Sequence, residues 1–408
     1  MESSDVDDAF LEAVADGDAS AVAHLLATGA EPNSDLQLAA AARLLLDAAP
    51  HTASAVAPDG STPCHMAAQK GAAAIVRAML DADPELAMAK METGATPLHM
   101  AAHLGHDDTV RVLLNAEPAA ALERLHDGDA GALATPLYLA SLEGHGATVR
   151  QLLAAAPQAA GMLAGVLTLK TPLHAAVGEG HLDVVRFVLE AAPHTALIAT
   201  SDDHLPIHLA AVAYQHASSA AMVQLLLAAA PDTATHALGG GGFAPLHFAA
   251  MGGNAAAAHL LLQAAPGGAE RALETALLKV SAEDDGDAPR YLDTARAILA
   301  AVPPDVSLPM LVHEADVALP LFTDVATHWP LTAAQWQQVP SPCPGLGRAL
   351  PAVMQRSETE AAALVAHLPP SDSARLRAFA LALRRAQRRL HIHLPGEIVC
   401  RMLSLFDS

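Results

Sequence analysis

Aromatic side chains are scarce in this chain. Phe, Tyr and Trp make up 3% of its 408 residues, although 52% are hydrophobic. The apolar surface is therefore almost all Ala, Leu and Val, and a core of such small residues has to be built from closely approaching helices. Positive charge is scarce too: Lys plus Arg is 22 against 44 Asp plus Glu. Nine of each fall in 305–408, so the whole acidic excess of 22 lies in 1–304. That balance argues against nucleic acid or an anionic membrane as the main partner. The three cysteines, Cys64, Cys343 and Cys400, are too far apart and too few for a disulfide framework or a C-x-x-C zinc site. No apolar run approaches the roughly 18 residues needed to span a bilayer, and the opening MESSDVDD is acidic where a signal peptide would be basic. These absences lead us to expect a soluble intracellular monomer, cytoplasmic with a nuclear location left open.

What the chain has in abundance is self-similarity. The segments TPCHMAA, TPLHMAA, TPLYLAS, TPLHAAV, LPIHLAA and APLHFAA vary one phrase, with prolines at 63, 97, 136, 172, 206 and 245. Each is followed by a Leu-rich run ending in a second proline, at 84, 118, 157, 193, 231 and 266. From first to second proline the distances are 21, 21, 21, 21, 25 and 21, whereas from second to next first they are 13, 18, 15, 13 and 14. The constant stretch is the packing unit, and the variable one is a loop. The exceptional 25 contains AVAYQHASSAAM. Its four extra residues approximate one helical turn of 3.6 and predict an added turn that keeps core residues on their face.

Inside the unit the pattern is two short antiparallel helices. Thr96 is placed to cap the first, with Pro97 at a position where a missing N–H costs nothing. Leu98, Ala101 and Ala102 form a stripe, Gly105 ends the helix, and Val110, Leu113 and Leu114 recur at helical spacing until Pro118.

The phrase T-P-L-H-x-A-A-x-x-G-H-x-x-x-V-x-x-L-L resembles the ankyrin repeat, and residues 94–114 follow it almost throughout. The resemblance implies an all-α solenoid of stacked helix pairs with hairpin loops, a right-curving stack capped by a small C-terminal helical domain. We expect an array over 1–304: a capping repeat at 8–33, an irregular stretch at 34–59, full repeats opening near 60, 94, 133, 169, 203 and 242, and a degenerate one at 273–304. Between Asn33 and Pro50 a shortened repeat and a continuous helix both fit.

Residues 305–408 are expected to form a Pro-rich helical region. The period is lost there, and Pro309, Pro320, Pro330, Pro340, Pro342, Pro344 and Pro351 are expected to end short helices. Ser357 with Glu360 reads as a capping box, and Ser371 or Ser373 as the cap of a longer helix after Pro369 and Pro370. That helix would bury Leu376, Phe379, Leu383, Ala386 and Leu390, with Arg377, Arg384, Arg385, Arg388 and Arg389 on its other sides. In the closing LPGEIVCRMLSLFDS, Leu394, Pro395, Glu397, Ile398, Met402 and Leu403 resemble the opening of an F-box, as in the abbreviated tails of poxvirus ankyrin proteins. That resemblance implies a helix at 394–408 docking an adaptor of a cullin-type ubiquitin ligase through Leu394, Pro395, Glu397, Ile398, Met402 and Leu405. An amphipathic helix burying Ile398, Met402 and Leu405 within the C-terminal region fits the same residues.

Little in the sequence points to catalysis or cofactors. His65, His99, His174, His208 and His247 hold the fourth place of the repeated phrase, and His106, His145 and His181 follow the helix-breaking glycine, so structural roles account for them. His99 and His103 are spaced i, i+4, but HMAAH lacks the glutamate of H-E-x-x-H. His391, His393 and Cys400 form a looser cluster, read as surface and packing residues. Gly239–Gly242 has no following G-K-[ST], so it reads as a hairpin tip rather than a phosphate cradle. No nucleophile motif or paired carboxylates stand in 305–408, and no catalytic, cofactor or metal site is expected.

The family resemblance instead implies a non-catalytic scaffold that binds a partner protein on a concave face. Its contact positions lie just before each T-P and between A-A and G: Asp59, Gln69, Lys70, Glu92, Thr93, His103, Leu104, Leu142, Glu143, Lys170, Gly178, Glu179, Asp202, Asp203, His204, Tyr214, Phe243 and Met251.

Overall fold

A computed structural model describes residues 56–125, 133–165, 168–213, 217–239, 242–282 and 288–390. The capping repeat expected at 8–33, the uncertain register between 33 and 50, and the tail from His391 to Ser408 lie outside the described residues. The fold is all-α, a solenoid of stacked helix pairs. Two compact units divide it, one of residues 1–210 and 224–233, the other of 211–223 and 234–408.

In the first unit the 21-residue block folds as a pair of helices four times over: α1 (Pro63–Gln69) with α2 (Ala73–Ala82), α3 (Pro97–His103) with α4 (Asp107–Ala116), α5 (Pro136–Glu143) with α6 (Gly146–Ala155), and α7 (Pro172–Glu179) with α8 (Leu182–Ala191). First helices pack on first helices and second on second, each pair touching the next. Small residues permit that approach, since Ala101, Ala102 and Ala140 are fully buried between Leu98, Leu113 and Leu137. The second proline does more than stop a helix. Pro84, Pro118, Pro157, Pro193 and Pro231 each open a single 3₁₀ turn, as in Pro118–Leu122. At the first two, the carboxylate just before the proline accepts a backbone N–H, Asp83 from Glu85 at 3.1 Å and Glu117 from Ala119 at 3.0 Å.

In the long repeat, α9 (Pro206–Val212) and α10 (Ser219–Ala229) leave six residues between them where α3 and α4 leave three. The added turn expected there falls on a stretch of which 214–216 lie outside the described residues.

In the second unit, α11 (Pro245–Gly252) and α12 (Ala255–Ala264) are followed by α13 (Ala269–Ala282) and α14 (Ala288–Leu299), then by α15 (Pro304–His313) and α16 (Ala315–His328). Here too first packs on first and second on second, so the stacking outlasts the sequence phrase. Pro309 and Pro320 do not end helices: they lie inside α15 and α16. Both face solvent, where water can satisfy the carbonyls they leave unpaired, while Leu308, Leu311, Leu321 and Phe322 are fully buried on the other side. That burial offsets the roughly 3 kcal/mol cost of an interior proline.

The remaining helices are α17 (Ala333–Trp336), α18 (Leu350–Arg356), α19 (Glu358–Ala366) and α20 (Pro370–Leu390). Ser357 Oγ accepts the Glu360 N–H at 3.2 Å, half of the expected capping box. The Ser357 N–H is already donated to the Val353 carbonyl, and the Glu360 carboxylate turns instead to the Leu331 N–H and Arg356. Arg356 in turn donates to the carbonyls of Ala326 and Thr327 at the end of α16, as cations at helix C-termini do. Helix α20 begins at Pro370 itself, ahead of both expected caps, because the Pro369 carbonyl accepts from Asp372 and Ser373. Of its expected stripe, the side chains of Leu383, Ala386 and Leu390 lie outside the described residues. Half-buried Leu376 and buried Ala380, one turn apart, mark the covered edge, while Phe379 lies off that edge and is 57% exposed.

Cys64 and Cys343 are both fully buried, and burial pushes their thiols up to about 12 and about 11. The thiolate is the reactive form. Neither should therefore label with iodoacetamide at pH 8 unless the chain is unfolded, and mass spectrometry of native protein showing rapid modification of either would contradict this packing.

Candidate protein-binding face

Two sets of histidines tie the repeats together and thereby fix the surface. In the first set the imidazole caps its own helix. The Thr171 N–H donates to His174 Nδ1 at 3.2 Å, and the His174 N–H donates back to Thr171 Oγ1 at 3.3 Å. With Nδ1 accepting, Nε2 carries the proton, and it donates forward to a carbonyl of the next hairpin. His65 reaches Ala95 O at 3.0 Å, His99 reaches Ala134 O at 3.3 Å and His174 reaches His204 O at 3.1 Å. Both nitrogens of His99 are thus engaged, which leaves no lone pair for the i, i+4 metal pairing with His103. Burial holds His99 and His174 down at about 4, so both are neutral at physiological pH. Tyr138 replaces this histidine in one repeat. Thr135 Oγ1 still accepts the Tyr138 N–H at 3.2 Å, but a phenol ring has no nitrogen to return the bond.

The second set reaches backward. His106, His145 and His181, each following a left-handed glycine, place Nε2 3.0 Å from the carbonyls of Gln69, His103 and Leu142. In the second unit Asn254 takes that place, its Nδ2 donating to Ala211 O and Ser219 Oγ at 3.1 Å. The glycine is needed for space as well as for conformation. Gly71, Gly105 and Gly144 are each covered by the next repeat's imidazole.

The expected contact residues sit around these tethers. Gln69, Lys70, His103, Leu104, Glu143, Gly178 and Glu179 are exposed at the ends of α1, α3, α5 and α7, with Leu142 half-buried. The structure brings two of them together across neighbouring repeats, His103 Nδ1 and Glu143 Oε1 being 3.8 Å apart. Asp59, Glu92, Thr93, Asp202 and Asp203 are exposed at hairpin tips, while Lys170 and His204 are half-buried at hairpin bases. Successive tips are joined, the Glu92 N–H donating to Asp59 O at 3.0 Å and the Ser201 N–H to Thr168 O at 3.2 Å. Asp59 also accepts from Ser61, which holds its carboxyl below the ordinary value. In the second unit Phe243 and Met251 are 41% and 40% exposed. Leu238 and Phe243 pair as an antiparallel bridge, as a hairpin at the glycine run requires. Tyr214 lies outside the described residues, as do Leu394, Pro395, Glu397, Ile398, Met402, Leu403 and Leu405 of the expected adaptor-docking tail and the His391, His393 and Cys400 cluster.

Sequence reasoning did not foresee the two directions of the histidine bonds. Their signal was present: His65, His99, His174, His208 and His247 stand three residues after a helix-capping position, and His106, His145 and His181 directly after a glycine, a recurrence that solvent residues do not show.

A hairpin followed by two antiparallel helices, stacked in register and locked by histidines, defines a helical-repeat binding protein. The family model of ankyrin repeats matches residues 10–124 and 137–233, and the chain belongs to that family. The crystal structure of the human ASB11 ankyrin repeat domain is similar to this chain, with 24% sequence identity, coverage of 62% of this chain and 96% of that one, and a TM-score of 0.40. No curated protein matches the chain. Among the described residues, no helix is long and apolar enough to cross a membrane.

Proposed function

We propose that this chain is a non-catalytic scaffold that holds a partner protein on the face formed by its hairpin tips and the ends of its first helices. Ankyrin repeats are interaction modules as a family, and the chain's acidic excess favours a protein partner over a nucleic acid. One observation carries the reading for the first unit. The carbonyls of Gln69, His103 and Leu142 are each pinned at 3.0 Å by the next repeat, yet the side chains beside them, Lys70, Leu104 and Glu143, are exposed and chemically unlike one another. A rigid backbone carrying varied side chains lowers the ordering cost of association. Variation of this kind is what recognition of one partner needs.

The test is a full-length triple variant, Lys70→Glu, His103→Ala and Glu143→Lys, used as bait beside the wild type. Proteins captured by the wild type should fall to background, while the unfolding midpoint changes by no more than about 1 kcal/mol equivalent, as exposed substitutions do. Undiminished capture by the triple variant would remove the claim for this face.

A further inference from the structure

The forward bonds of His65, His99 and His174 have no counterpart at His247, in the last repeat that carries a variant of the TPLH phrase. His247 caps α11 as its counterparts cap theirs, the Ala244 N–H donating to Nδ1 at 3.0 Å. Its Nε2 is buried with no hydrogen-bond partner, and the residue as a whole is 2% exposed. The reason lies in the course of the chain after α12. After His65, His99 and His174 a further hairpin supplies a backbone carbonyl. After His247 the chain passes through Pro266, Gly267 and Gly268 straight into α13, so no such hairpin follows. A buried N–H without an acceptor costs about 1–3 kcal/mol, a penalty that an incoming acceptor relieves.

A Cβ on Gly268 would sit 3.2 Å from His247 Cε1 and 4.0 Å from Nε2, whereas one on Gly267 would meet nothing within 4 Å. An exposed two-glycine turn thus runs beside this edge of the ring. Beside it Phe243 is 41% exposed and stands edge-on to the His247 ring, with 5.7 Å between centroids. Burial, helped by the nearby Arg271 cation, keeps the imidazole below its ordinary pKa. Nδ1 lies 3.0 Å from the Ala244 N–H donor and 3.3 Å from the Ala244 carbonyl, and the shorter approach makes Nδ1 the acceptor and leaves the proton on Nε2.

We infer that the His247 edge of α11 is a docking site for an extended segment of a partner protein, which presents a backbone carbonyl to His247 Nε2 and lays an apolar side chain on Phe243. The partner thus supplies the contact that the next hairpin makes at His65, His99 and His174, and the Gly267–Gly268 turn moves aside to admit it. Backbone carbonyls are the acceptors in all three of those bonds, which is why a peptide backbone, rather than a small anion, fits this place. The inference deepens the scaffold reading and rests on it for the nature of the ligand, but it uses residues that the triple variant leaves untouched.

A random peptide library displayed on phage and panned against the full-length protein provides the probe. Enriched peptides should bind His247→Phe and Phe243→Ala each about tenfold more weakly than wild type, while His247→Gln, which keeps a side-chain N–H donor, recovers part of the loss. Replacing one peptide amide by an ester, which weakens its carbonyl as an acceptor, should weaken binding to wild type but not to His247→Phe. Because Phe243 is exposed, its truncation tests the site even where His247→Phe perturbs folding. Peptides that bind both variants as well as wild type, or panning that enriches none, would overturn the inference. Loss of binding in the Lys70, His103 and Glu143 triple variant with His247→Phe unaffected would instead support the first-unit face and overturn this one.

Discussion

Mild acid should unfold the repeat array well before its carboxylates are neutralised. His99 and His174 titrate at about 4 in the folded chain because burial disfavours the imidazolium, against 6.5 for an unperturbed side chain. Above pH 6.5 both are neutral in either state, and their contribution to stability is complete. Between pH 6.5 and about 4 the unfolded chain binds protons that the folded one does not, so stability is lost as pH falls through that window. The full difference is about 3 kcal/mol for each histidine, and about 2 kcal/mol of it has gone by pH 5. Burial shifts His65 and His247 in the same direction. Urea midpoints followed by far-ultraviolet circular dichroism at pH 7 and pH 5 give the measure. A double variant, His99→Gln with His174→Gln, should start less stable at pH 7 but lose much less on acidification. A wild-type midpoint unchanged between the two pH values would show that these rings are not neutral donors inside the array.

Gly105→Val should cost about 3 kcal/mol or more, although it adds only an isopropyl group to a half-buried turn. Gly105 has φ +71°, where a β-branched residue is a steric outlier. A Cβ there would also lie 2.5 Å from His145 Nδ1. Displacing that ring breaks its bond from Nε2 to the His103 carbonyl, so strain within one repeat becomes loss of adhesion between two. Gly178→Ala is the matched control. Its Cβ would meet nothing within 4 Å and the residue lies inside α7, so the change should be neutral or stabilising by up to about 1 kcal/mol. Thermal unfolding of Gly105→Val within about 1 kcal/mol of wild type would mean that the glycine is there only to end a helix.

The sequence by itself determined the helix pairs from 63 to 264. Pro97, Gly105 and Pro118 punctuate helices by local chemistry, and the spacing of Leu98, Ala101, Ala102, Val110, Leu113 and Leu114 states which faces are buried. All six are buried as their period requires. Local rules of this kind need no knowledge of distant residues. The exposure of Gln69, Lys70, His103, Leu104 and Glu143 was legible for the same reason, as these are places the period leaves over.

What failed locally was decided by contacts between repeats. Pro309 and Pro320 read as helix breakers because their cost is local, whereas the burial of Leu308, Leu321 and Phe322 that offsets it is not. Phe379 reads as core because the period of α20 is regular, but a stripe becomes core only where a neighbour covers it, and the covered edge runs through Leu376 and Ala380. The histidines show the division most clearly. Their place in the phrase gave them a structural role, but which carbonyl each one holds, from Ala95 to His204, depends on the next repeat arriving at the right distance. Only tertiary structure could show that His247 has no such neighbour, because an unmet hydrogen bond is a property of the space around a residue and leaves no mark on the residue's own position in the repeat.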